Sequence, residues 1–168
     1  SVIQIPDHPA GDAHSTWSPD GQKLAFVSQR DYYNADTLRY RSDLFSVNTD
    51  GTNLQKLTIT GNATIPQWHP KNSLIAYEWN IRGNKAFLID LDSKEIFEVA
   101  SDLEFEASPQ WSISGTHLIL FGRQNEGALT EIQFFNFENN QPLFAERVNN
   151  NPYLVKGRNF DWHYKENN

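Results

Sequence analysis

Apolar residues in this chain come in short bursts with turn residues between them. Leu24-Ala25-Phe26-Val27, Ile75-Ala76-Tyr77 and Leu118-Ile119-Leu120-Phe121 are strand-sized runs. Phe45/Val47, Phe87/Ile89 and Ile132/Phe134 alternate with polar neighbours at period two, as one face of a strand does. Asp50-Gly51, Asp92-Ser93 and Asn139-Asn140 supply the turns that follow. No stretch places apolar residues at i, i+3, i+4 and i+7 over three turns, so no helix of useful length is predicted. The pattern predicts an all-β chain.

The bursts repeat. Trp17 and Trp68 lie 51 positions apart, and Trp68 and Trp111 lie 43 apart. Four residues after each Trp stands a residue that tolerates a positive φ in a tight turn, namely Gly21, Asn72 or Gly115. Each unit reads as four antiparallel strands in 40 to 50 residues, which is the period of propeller blades. We place the repeats at 14–61, 62–103 and 107–151, with edge strands at 2–5 and 159–164. The second edge carries Trp162, 51 residues beyond Trp111. The fold class expected is therefore all-β, with stacked four-stranded antiparallel blades forming part of a β-propeller. The four register tryptophans are expected in inter-blade packing. A blade cannot cover both of its own faces. Further blades are thus expected, from more of the same polypeptide or from another subunit.

Composition narrows the partners. The net charge of −7 and the absence of any basic run argue against nucleic acid. The apolar runs are far shorter than the about 20 residues a membrane span needs, so no membrane insertion by this segment is expected. With no cysteine, disulfides, thiolate metal sites and a cysteine nucleophile are excluded.

The residues "WSPDGQKLAFVSQRD…DLFSVNTDGTNLQKLT" resemble the WD40-like (PD40) repeat of TolB-type propellers. The first repeat matches best, through Trp17, Ser18, Pro19, Asp20, Gly21, Leu24, Ala25, Phe26, Ser28 and Asp50-Gly51. The second keeps Trp68, Pro70 and Ala76 but has Lys71-Asn72 at the turn; the third keeps Trp111, Ser112 and Gly115 and lacks Pro-Asp. The resemblance implies a non-catalytic binding or sensing module. Such a module is TolB-like or the sensor domain of a membrane-anchored, CadC-type transcriptional regulator, and is exported to a bacterial periplasm. The alternative it implies is an accessory propeller that gates substrate for a peptidase or polysaccharide lyase.

Candidate chemistry is sparse. Three residues before each Trp the chain has His14, Ile65, Ser108 and Asn159, so no ring of histidine ligands repeats around the axis. No metal and no cofactor are expected. There is no G-x-S-x-G elbow, and Ser18 and Ser112 are expected to cap their own hairpins. No catalytic residue is assigned. The first repeat carries extra length, "QRDYYNADTLRYR", with Arg30, Tyr32, Tyr33, Arg39, Tyr40 and Arg41. Tyr and Arg are enriched where partners bind. This loop, with His14 near the channel mouth and Trp79 outside the Trp register, is the expected contact for a protein partner or small ligand.

Overall fold

The computed structural model describes residues 8–32, 41–80, 83–99, 101, 103, 105–125, 131–138 and 141–148. Within them lie three four-stranded sheets. The first holds β1 (Asp12–Trp17), β2 (Lys23–Ser28), β3 (Asp43–Asn48) and β4 (Gln55–Lys56). The second holds β5 (Ala63–Trp68), β6 (Leu74–Asn80), β7 (Asn84–Asp90) and β8 (Ile96–Glu98). The third holds β9 (Phe105–Trp111), β10 (His117–Arg123), β11 (Glu131–Glu138) and β12 (Gln141–Val148). Each is an antiparallel meander in chain order, as the repeat predicts. The expected edge strands at 2–5 and 159–164, with Trp162, lie outside the described residues.

The blades stack through alternate residues of the same strands. Ala25, Val27 and Leu44 of the first blade form one core with Ala63, Trp68, Ile75, Tyr77 and Ile89 of the second. The intervening residues Ala76, Ala86 and Leu88 join Leu118, Leu120 and Phe135 of the third blade. Both faces of the second blade are buried, which is why residues 74–77 of β6 read as a continuous apolar run. Large side chains, Trp68 and Tyr77, face the preceding blade, and the small Ala25 faces the next. Hydrogen bonds cross the same seams. Trp68 N–H donates to Thr16 Oγ1 at 3.1 Å, and the Trp111 indole donates to Gln67 O at 3.1 Å.

Trp17 departs from the expectation for its register. It is 61% exposed, whereas Trp68 is 9% exposed and Trp111 is half-buried. Trp68 and Trp111 each lie against the blade before their own, and no described blade stands on that side of Trp17.

The turn after the Trp is built two ways. Ser18 Oγ accepts the Lys23 N–H and Ser112 Oγ accepts the His117 N–H, closing each hairpin from within. In the second blade His69 stands at that position. Its Nδ1 accepts from the Lys71 and Asn72 N–H groups, both at 3.0 Å, so that nitrogen carries no proton. Its Nε2–H donates across the seam to Gly115 O at 3.0 Å. The ring sits edge-on to Trp111, with centroids 4.6 Å apart. Burial holds the imidazole below its ordinary pKa; the Gly115 carbonyl opposes that shift and Lys71 adds to it.

Two outcomes are expected. Below the ordinary value of 6.5 the unfolded chain binds a proton at His69 that the folded chain refuses, so stability falls as pH drops from there toward the lower folded pKa. His69→Gln should remove that part of the slope in urea titrations run at about pH 7.5 and about pH 5. Gly115 has φ +78°, and an added Cβ would meet His69 Cε1 at 2.5 Å, while Gly21 at φ +68° has nothing within 4 Å. In the same titrations Gly115→Ala should cost about 3 kcal/mol and Gly21→Ala about 1 kcal/mol, the difference being the collision with His69.

Candidate functional site

The position three before each Trp is distinctive for its backbone. His14, Ile65 and Ser108 have φ of 50°, 47° and 50°, and the register of the first strand pair slips there in all three blades. A left-handed φ is rare for a β-branched residue such as Ile65, so this bulge is a strained feature repeated once per blade. The Ser108 N–H donates to the buried Glu78 carboxylate of the second blade at 3.3 Å. His14 is exposed on β1. Among the described residues no three His, Cys, Asp or Glu side chains are grouped to hold a metal.

The extra length of the first blade leaves β2 through a short 3-10 turn, Arg30–Tyr32. Arg30 is engaged by the scaffold. Its side chain is only 8% exposed, it pairs with Asp12 at 3.2 Å, and its guanidinium covers Phe26 and Phe45 at 5.2 and 4.9 Å. Tyr32 is half-buried and Arg41, 5.9 Å above its ring, is exposed. Tyr33, Arg39 and Tyr40 lie outside the described residues. Trp79 is half-buried against Phe87, with centroids 5.0 Å apart in a T-shape, and joins the core between the first two blades.

What anchors Tyr32 is a residue that the sequence gives no reason to single out. Asp43 opens β3 and is fully buried. Its Oδ1 accepts from Thr58 Oγ1 at 2.9 Å and from the Gly61 N–H at 3.0 Å. Its Oδ2 accepts from the Tyr32 hydroxyl at 2.8 Å and lies 2.9 Å from Lys56 Nζ. Lys56 also pairs with Asp31 at 2.5 Å. The carboxylate thereby ties the loop, β4 and the linker to the second blade at one point. Burial alone would raise the Asp43 pKa; the Gly61 N–H, Lys56 and the two hydroxyls outweigh it and hold the carboxyl below its ordinary value. Burial and the bond to Asp43 push Tyr32 upward. Lys56 is also raised: burial disfavours its charge, and Asp31 and Asp43 overcome that. Lys85 holds the matching position in the second blade, and its ammonium donates to Leu103 O in the next linker. The position thus binds linker backbone in both blades, with opposite charge.

Because the Asp43 pKa is depressed on folding, its contribution is present above the ordinary 3.8 and is lost as pH falls through the lower folded value. Tyr32→Phe should cost about 1 kcal/mol, and Asp43→Ala about 3 kcal/mol because the Gly61 N–H and the Thr58 and Tyr32 hydroxyls lose their acceptor. Chemical denaturation near neutral pH checks both.

No protein-family model matches the sequence, and no curated protein matches it. Solved structures do match. TolB from Acinetobacter baumannii superposes with a TM-score of 0.63 at 14% identity, over 80% of this chain and 32% of that one. The β-propeller domain of the Trilobed protease from Pyrococcus furiosus gives 0.65 at 19% identity, over 83% and 42%. Oligogalacturonate lyase from Vibrio parahaemolyticus gives 0.64 at 13% identity, over 84% and 43%. The chain thus spans less than half of each of these three proteins. It has the fold of a TolB-like β-propeller, and what the described residues form is three blades of one.

Proposed function

We propose that this chain is a non-catalytic binding or sensing module, forming part of a larger propeller protein exported to a bacterial periplasm. The blade-one loop and the channel side of β1, with Arg41 and His14, would receive a protein partner or small ligand. A sensor domain of a membrane-anchored regulator is the signalling form of the same reading. The observation that carries it is the saturation of Asp43. A catalytic carboxylate needs a lone pair for substrate or proton, and here four donors occupy both oxygens. The knot instead holds the base of a Tyr- and Arg-bearing loop rigidly on a scaffold, which is how binding loops are presented. The exposed face around Trp17 supports further blades, from the same polypeptide or another subunit.

The rival reading, an accessory propeller that gates substrate for a peptidase or polysaccharide lyase, expects the catalytic signature in another part of the larger protein, so an assay of this chain tests the non-catalytic claim itself. The purified chain should cleave neither peptide p-nitroanilides nor oligogalacturonate, with or without added Mn²⁺. Turnover of either substrate that His14→Ala abolishes would overturn the non-catalytic reading.

A further inference from the structure

The two described blade seams are not equivalent near the hairpin turns. Between the second and third blades the space is filled: the His69 ring stands against Trp111 at 4.6 Å and Phe137 at 5.5 Å. Between the first and second blades, Ser18 occupies the position of His69, Trp68 that of Trp111, and Leu91 that of Phe137. The last match is fixed by the backbone, since the Leu91 N–H donates to Ser73 O as the Phe137 N–H does to Thr116 O. Exchanging two rings for a hydroxymethyl and a Leu leaves a cleft of about 330 Å³.

Its rim is cationic. Lys23, Lys71 and Lys94 line it, and none has an ion-pair partner among the described residues. Two carboxylates also border it. Asp20 is committed to its own turn, accepting from Ser18 Oγ and the Gln22 N–H. Asp92 is exposed on the neighbouring turn. Three cations against two anions make a local excess of positive charge in a chain of net charge −7. Beneath the cleft the buried Trp68 indole N–H has no acceptor among the described residues, whereas the Trp111 indole has Gln67 O.

We propose that this cleft binds a small organic anion bearing a flat ring, the ring entering the slot over Trp68 that His69 fills in the neighbouring seam and the anionic group meeting the lysines. The site lies at the Lys23 end of β2, and the blade-one loop leaves from the Ser28 end. It is therefore distinct from the surface assigned above.

Isothermal titration of the full chain at low salt would use indole-3-acetate and AMP as ring-bearing probes and inorganic phosphate as the ringless one. At least one ring anion should bind saturably with a sub-millimolar Kd, and phosphate at least about tenfold more weakly. The pair Ser18→His with Asn72→Gly, which supplies both the ring of the other seam and the glycine that ring packs on, should abolish binding while keeping the thermal transition. Lys71→Ala and Lys94→Ala change exposed side chains and should each weaken binding about tenfold through the loss of a charge-assisted contact. The proposal is overturned if neither ring anion binds below about 1 mM, if phosphate binds as tightly, or if binding survives in the Ser18→His, Asn72→Gly pair.

Discussion

The structure depends on one recurring contact: a large residue on the face of one blade seated against small residues of the blade before it. Trp68 and Tyr77 meet Ala25, Val27 and Leu44, and β6 and β7 of the second blade serve both described seams by alternating their side chains. A four-stranded sheet with two apolar faces cannot stand in water alone. The seams therefore provide the stability, and the turns and linkers hold the register in which they close. His69 and Asp43 are both devices of this kind. Each is a buried polar group that fastens backbone from a neighbouring segment.

Such polar fasteners also explain the differences between repeats. At the position after the Trp, a serine closes its own hairpin and a histidine reaches the next blade. At the head of the third strand, an aspartate takes a linker N–H and a lysine meets a linker carbonyl. The same geometric problem is solved with different chemistry in successive blades. The repeat is accordingly clear in its apolar positions and blurred in its polar ones.

That difference sets how much could be read from the sequence. Blade count and strand order followed from Trp spacing and period-two alternation, because burial on a pleated face imposes them directly, and Gly21 and Gly115 take the positive φ their turns predict, whereas Asn72 does not. The hairpin roles of Ser18 and Ser112 were legible for the same local reason. Asp43 was not, because its partners Tyr32, Lys56, Thr58 and Gly61 converge only after three strands have paired. Arg30 was read as a binding residue from its type, and the aromatic pair it covers lies on strands that only the fold brings beneath it. The exposure of Trp17 was invisible to a register argument that treats all blades alike. The strained bulge at His14, Ile65 and Ser108 left no trace in residue type, since three unrelated side chains adopt one backbone conformation.

The account's central claim is that a seam is the stabilising unit, so the face that carries the exposed Trp17 is an inter-blade face against which no described blade stands. Light scattering across a concentration range tests this most directly. The account predicts a mass that rises above 19.3 kDa with concentration in the native chain and stays there in Trp17→Lys. A native chain that remains at 19.3 kDa throughout and unfolds in one cooperative transition would contradict it.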